Sequence, residues 1–568
     1  MGKMRKGALG ALASVMMMST YLVACSSSKE NTSSPSTSPS SSTAASASPK
    51  PSEAPKITKI KVELWDRGNQ PAGTPALKDN VIVKWVNQQL APLGVEVEYV
   101  QIPRAEESTK LSVWLASGDS PDVILTYDIG VMNKYAEQGG LWDLGAALDK
   151  FGPNIKKNNK AALDVAGVYK DKRYAIPALR GNPYGGANMS IRKDWLDKLG
   201  LPVPKTVDEL TAALKAFKEK DPGGVGKDKV VPWGLPALTG NGQATFMYGM
   251  MAAFGIRSDG PAPSNVYMQS GNFENGKFTS SVAMPEGKEY FRWMNQLFKD
   301  GLISKEFATD ANSTRYNQDF ANGLVGFMDA NNPAAYQNIL MRKTGPKTGQ
   351  YVTLDPMKDP KGNYFFNKTA DYGMMIMVPK SSSQEKMEAA VKYLDWMAKP
   401  ENIEALNSGL EGVHFKRVDG ARVPIDPEKN KQELWVFGGG DLEIIQQGNT
   451  VTTDRKIMIA EQSTSTDLNT PQLREEYADL TLAFYESVKK YGMTGLPITA
   501  PRPVNDKIGA NLGKYIGEAI SKVIIAKDFD AEYANLLKGW EANGGKDYDK
   551  EVTDILNQMG FKGMKKAF

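Results

Sequence analysis

The chain has 568 residues, one cysteine, one histidine and a formal charge of +4 from 69 basic and 65 acidic side chains. One thiol excludes an intramolecular disulfide framework and a cysteine-based zinc site, and one histidine excludes a multi-histidine metal centre. Near-neutrality without a basic stripe leaves no footprint for nucleic acid, and a body of roughly 500 residues is long enough for two or more cores.

Residues 1–24 read as a targeting segment. Lys3, Arg5 and Lys6 form a positive head before an apolar run from Ala8 to Met18. That run falls short of the ~20 residues a spanning helix needs. Leu22-Val23-Ala24-Cys25 has the form of a bacterial lipobox, in which the preceding segment is removed and the thiol is acylated. Cys25 is therefore the lipidation candidate. Residues 25–56 are rich in Ser, Thr, Pro and Ala and cannot bury enough apolar surface to offset their ordering entropy. They are expected to form a disordered tether spanning roughly 30 Å on average.

The folded body begins near Ile57. Ile60, Val62 and Leu64 alternate with charged residues and predict a strand. Ile82, Trp85, Val86 and Leu90 recur at helical spacing, and Val95, Val97 and Tyr99 predict a second strand. Lys110–Ala116 predicts a helix that ends at Ser117-Gly118-Asp119, before a buried strand at Val123–Thr126. This alternation implies an α/β lobe with a largely parallel sheet. Thr206-Val207-Asp208-Glu209 and Ser382-Ser383-Gln384-Glu385 are capping signals for two amphipathic helices. Pro285–Asp300 predicts another, stopped by Gly301. From Thr470 the pattern is mainly helical, and no solenoid-period repeat is visible.

Five segments together carry a family likeness. They are Tyr169–Pro177, Ile191–Leu210 with Arg192-Lys193-Asp194-Trp195 and Pro204-Lys205-Thr206, Gly323–Phe327, Val378–Ser381 and Glu411–Phe415. In this order and spacing the chain is similar to the extracellular solute-binding proteins of family 1, in the branch of large lipoproteins that includes alginate- and pectin-oligosaccharide binders. The resemblance implies a two-lobed α/β fold of the periplasmic-binding-protein type II kind, with a central ligand cleft and hinge strands. It implies an N-lobe from 57–180 and 307–378 and a C-lobe from 181–306 and 379–568. The crossings are expected near Ala178–Ile191, Phe307–Arg315 and Tyr372–Pro379.

A sugar presents hydroxyl edges and apolar ring faces, so its site needs planar polar groups and aromatic platforms. Trp65, Asp66 and Arg67 follow the first predicted strand, and Tyr127 and Asp128 follow the third. Arg180 and Tyr184 sit where the first crossing is expected. Asn241 lies in a Gly-rich loop, Asp329 and Asn331 follow an apparent strand, and Trp435 precedes Gly438-Gly439-Gly440. Ligands in open α/β sheets bind beyond the carboxyl ends of strands, and these residues are the candidate ligand contacts. Trp195, Trp293 and Trp396 fall within amphipathic helices and read as packing. Asx-Gly clusters are commonly turns.

No catalytic residue is singled out. His414 stands without a Gly-x-Ser-x-Gly elbow, and no carboxylate pair is distinguished among the acids. The resemblance brings a calcium loop, which here reads Asp221-Pro222-Gly223-Gly224-Val225-Gly226-Lys227-Asp228-Lys229. Asp221 and Asp228 remain, but Gly223, Val225 and Lys229 stand where oxygen ligands are wanted. The expectation is a degenerate loop without metal, and no cofactor. The resemblance further implies a monomeric, lipid-anchored substrate-binding protein on the outer face of a Gram-positive-type membrane. Its implied partners are an oligosaccharide and ABC-transporter permeases, with no nucleic acid. A glycan sensor or adhesin, or a binder of peptides or other solutes, is the alternative on the same scaffold.

Overall fold

The computed structural model describes residues 56–568 except 69, 187, 237, 239–246, 258–269, 311–312, 331–332, 435–441, 449 and 496–497. Cys25, the tether, Asn241, Asn331 and Trp435 lie outside the described residues.

β1 (Thr58–Asp66) carries the predicted alternation and pairs in parallel with β2 (Val95–Pro103), Thr58 opposite Val95 and Asp66 opposite Pro103. α1 (Val81–Leu90) connects them, capped by Asn80, which accepts from the amides of Ile82 and Val83 at 2.9 and 3.3 Å. α2 (Glu107–Ser117) ends where Gly118 turns left-handed at φ 72°. β3 (Ile124–Thr126) follows, then α3 (Ile129–Glu137) and β4 (Ala175–Arg180). A short backbone ladder joins β1 to β3: Glu63 N donates to Val123 O at 2.9 Å, and Val123 N to Lys61 O at 3.0 Å.

The chain then crosses. β5 (Asn188–Arg192), α4 (Val207–Lys220), β6 (Val231–Trp233), α5 (Pro285–Lys299), β7 (Val325–Ala330) and β8 (Tyr351–Leu354) build a second lobe, with its sheet ordered β8-β5-β7-β6. The capping signal is realised at α4. Thr206 Oγ1 accepts from Glu209 N at 3.1 Å, while Glu209 reaches back to Lys205 N at 2.7 Å. Arg192 forks onto Asp194 at 2.7 and 2.6 Å and lies 4.4 Å over Trp195, so that part of the family segment is structural.

β9 (Tyr372–Met377) returns to the first sheet, and α6 (Gln384–Met397) and β10 (Gln446–Gln447) stay with it, giving the strand order β10-β4-β9-β3. α7 (Pro471–Tyr491) precedes α8 (Pro503–Ile525), α9 (Phe529–Ala542) and α10 (Gly545–Gln558), which complete the second lobe.

Three expectations change. The first sheet is mixed, because β9 enters from the other lobe and runs antiparallel to both β3 and β4. Residues 307–378 do not form the second part of the N-lobe: Phe307 lies in the second core and β7 and β8 pair on β5, so the chain returns only at β9. Residues 379–568 do not all belong to the C-lobe. The apolar face of α6 (Met387, Ala390, Val391, Leu394) packs with Ile60 and Val62 of β1, and this core continues to Ile445. The observed crossings include residues 181–186, the stretch between Leu354 and Tyr372, and the strand Gly492–Thr494. They bond to one another: Thr369 N donates to Gly185 O and Lys368 N to Met493 O, each at 2.9 Å. Trp195 and Trp396 are buried and Trp293 is partly buried against the second core, as their helical spacing implies.

Candidate functional site

β1, β2 and β3 run parallel, so their carboxyl ends share one edge of the first lobe, where α/β sheets hold ligands. Trp65 of β1 lies with its ring centroid 5.5 Å from that of Tyr127, the planes 35° apart. The Arg104 guanidinium, just past β2, covers the Trp65 ring at 4.0 Å and lies 5.5 Å from the Tyr127 ring. Arg67 approaches Trp65 at 5.9 Å. These are cation–π distances. Arg104 is held from behind by Glu107, its Nη1 donating to Oε2 at 2.6 Å. The Gln447 side-chain amide of β10 donates to the Tyr127 hydroxyl. Gln447 pairs with Arg180 of β4, whose Nε donates to Tyr372 O at 3.2 Å.

Exposure separates the two rings. Trp65 is 4% exposed and Tyr127 is 38% exposed. Tyr127 therefore presents the exposed ring face, and Trp65 is its backing. Behind them, Glu63 is fully buried. It accepts from the Trp65 indole Nε1 and from Leu125 N, each at 2.9 Å. Burial pushes its carboxyl up to about 8 against the pull of those two bonds.

Other sequence candidates sit elsewhere or do other work. Asp66 closes its own turn by accepting from Gly68 N at 2.8 Å. Asp128 caps α3, accepting from Gly130 N at 2.8 Å. It also faces Asp506 of α8, whose carboxyl is raised first by burial and then by the Asp128 charge. Beside it, Asn133 Nδ2 donates to Thr499 O at 2.8 Å, tying the first lobe to the chain entering α8. Tyr184 is not part of the Trp65–Tyr127 cluster. It stacks on Tyr485 at 4.4 Å and on Phe568 at 5.7 Å, as hinge packing. Asp329, at the end of β7, is buried and accepts from Met250 N at 2.8 Å, at the start of the helix Tyr248–Ala253. Burial pushes it up to about 7 against the bonds from Met250 and Gly249, and its other oxygen has no partner among the described residues.

Sequence reasoning missed Arg104 and Gln447. Arg104 could have been found, since it follows the second strand as Arg67 follows the first. Gln447 lies on a two-residue strand with no periodic signal.

The model of the bacterial extracellular solute-binding proteins matches residues 86–411. The chain belongs to this family. It is 24% identical over 473 residues to lipoprotein LipO of Bacillus subtilis, covering 81% of this chain and 86% of that one. It is 25% identical over 470 residues to the polygalacturonan/rhamnogalacturonan-binding protein YtcQ of the same organism, covering 82% and 86%. The Streptococcus pneumoniae ABC-transporter substrate-binding protein FusA, solved with kestose, superposes with a TM-score of 0.62 at 20% identity, covering 89% and 99%. This likeness to FusA establishes the shared two-lobed fold.

Two features of this solute-binding protein bear on other chemistries. His414 is buried, its Nδ1 accepting from Leu410 N at 2.9 Å and its Nε2 lying 3.2 Å from Glu433 Oε2. Burial lowers its pKa, and both ring nitrogens are engaged in local packing. In the calcium-like loop, both Asp221 oxygens accept from backbone amides, Val225 N at 3.0 Å and Gly226 N at 2.7 Å. Lys198 Nζ donates to Pro222 O at 2.8 Å and Lys218 Nζ to Lys227 O at 3.2 Å. Asp228 sits in the short turn Lys227–Lys229. Calcium wants six to eight oxygens. Here ammonium groups take the Pro222 and Lys227 carbonyls and Asp221 is spent on amides, while Gly223, Val225 and Lys229 offer no side-chain oxygen, so the residues present do not fit the ion.

Proposed function

We propose that this protein captures an oligosaccharide between its lobes and delivers it to the permease of an ABC importer, tethered to the outer face of the membrane through Cys25. The observation that supports this reading is the Tyr127 face, backed by Trp65 and flanked by Arg104, Arg67 and Gln447 at the carboxyl ends of three parallel strands. An exposed phenol ring offers a stacking surface for a pyranose or furanose face, and guanidinium and amide groups around it suit hydroxyl or carboxylate edges. Asn241, Asn331 and Trp435 remain candidate contacts on this reading, and Asp329 is assigned to holding the helix Tyr248–Ala253. The names of the relatives span pectic and fructan sugars, which favours an oligosaccharide over a peptide. Ligand bridging the lobes would hold the closed form that a permease recognises. No described helix is long and apolar enough to cross a membrane.

The test is a thermal-shift panel on residues 57–568 with kestose, oligogalacturonates, neutral hexose oligomers and peptides. Ligand at a hundred times its dissociation constant stabilises the folded state by about 2.7 kcal/mol. One sugar series should raise the melting temperature. A flat sugar panel with a peptide-induced shift contradicts the assignment. In the living cell, Cys25→Ser should release the protein into the medium and abolish acylation; retention at the membrane contradicts the anchor.

A further inference from the structure

Glu63 occupies the face of β1 on which Lys59 and Lys61 are exposed and Glu63 and Trp65 are buried. A carboxylate on a buried strand position needs an explanation, because an apolar residue there would avoid desolvating it. The explanation lies in what β3 lacks. The backbone ladder between β1 and β3 is made of the bonds joining Lys61 and Glu63 to Val123. Beyond that point the Glu63 side chain takes over: Oε2 accepts from Leu125 N, and Oε1 from the Trp65 indole, each at 2.9 Å. Leu125 stands on that short strand, two residues before Tyr127, which follows the strand's last residue, Thr126.

We propose that Glu63 is a positioning residue for ligand, fixing the Trp65–Tyr127 pair by holding one ring directly and the strand that leads into the other. This rests on the cleft reading above. Glu63 makes no ligand contact itself. Arg104 and Glu107 are the charged groups it feels most closely. They set the guanidinium over the same indole, so the shelf is held from behind by two acids, each with its own task.

Glu63→Gln offers one acceptor oxygen where two N–H groups need one, and sets an NH2 against a donor. In ligand-free protein labelled with 5-fluorotryptophan, the Trp65 resonance, assigned through Trp65→Phe, should move in Glu63→Gln. Affinity for whichever of kestose or oligogalacturonate shifts the melting temperature should fall about ten-fold, the size of a lost buried hydrogen bond. Measurement well below the melting temperature counts only folded molecules. Glu63→Asp keeps both oxygens one methylene short and should lose less; it also serves if the Gln variant does not fold. Tyr127→Ala separates the two claims. If Tyr127→Ala weakens binding while Glu63→Gln binds normally with an unmoved Trp65 resonance, the positioning role is wrong. If Tyr127→Ala binds as the parent does, the cleft reading itself fails.

Discussion

Glu63 and Asp329 are both buried acids near the carboxyl ends of strands, one in each lobe, and both are raised, to about 8 and about 7. They differ in what they hold. Glu63 gives both oxygens to groups that place two aromatic rings, whereas Asp329 gives its carboxylate to the amides that begin a helix. The first lobe thus presents a pre-formed aromatic and cationic shelf. The second presents a helix terminus anchored from below. A strand end followed by polar residues looks alike in the two segments, yet the acceptor geometry separates an exposed aromatic face from a structural cap.

The largest effect that would sharpen this contrast is on stability. Asp329→Ala leaves the Met250 and Gly249 amides without their acceptor and should cost about 2–3 kcal/mol, read by chemical denaturation, with ligand affinity in the folded protein little changed. A large loss of affinity at unchanged stability would reverse the assignment. Next comes pH. The folded protein holds Glu63 and Asp329 protonated above their ordinary values of 4.5 and 3.8, so between those values and about pH 8 and 7 it binds more protons than the unfolded chain. Stability from these groups is greatest below that window and falls as pH rises through it, by at most about 1.4 kcal/mol per unit per group. Glu63→Gln combined with Asp329→Asn should flatten this part of the profile; an unchanged slope would remove both groups from the account. A smaller effect is expected at Gln447→Ala, which frees the Tyr127 hydroxyl and should weaken sugar binding about three-fold. The smallest is none at all: calcium or a chelator should leave the melting temperature unmoved, and a clear calcium shift would overturn the reading of the Asp221 loop.

Much of the fold was legible because periodicity reports local structure. The strands at 60–64, 95–99 and 123–126 and the helix capped by Thr206 emerged from alternation and caps, while the second cap falls one residue on, at Ser383, which accepts from Lys386 N. Lobe membership was less legible. The apolar face of α6 says that it is buried, not that its partner is β1, and Val325 and Phe327 say nothing of β5. The same limit applies at the site. Trp65 and Tyr127 were readable from strand ends, while the stack of Tyr184 on Tyr485 depends on residues some 300 positions apart. Gln447 enters only because a two-residue strand pairs with β4.

The most direct test of the central claim is calorimetric titration of kestose and oligogalacturonate into the parent protein and into Tyr127→Ala. The account predicts saturable, one-to-one binding of one of these sugars by the parent, weakened at least ten-fold by loss of the ring. Equal affinity in both proteins would move the ligand away from the Trp65–Tyr127 shelf and contradict the account.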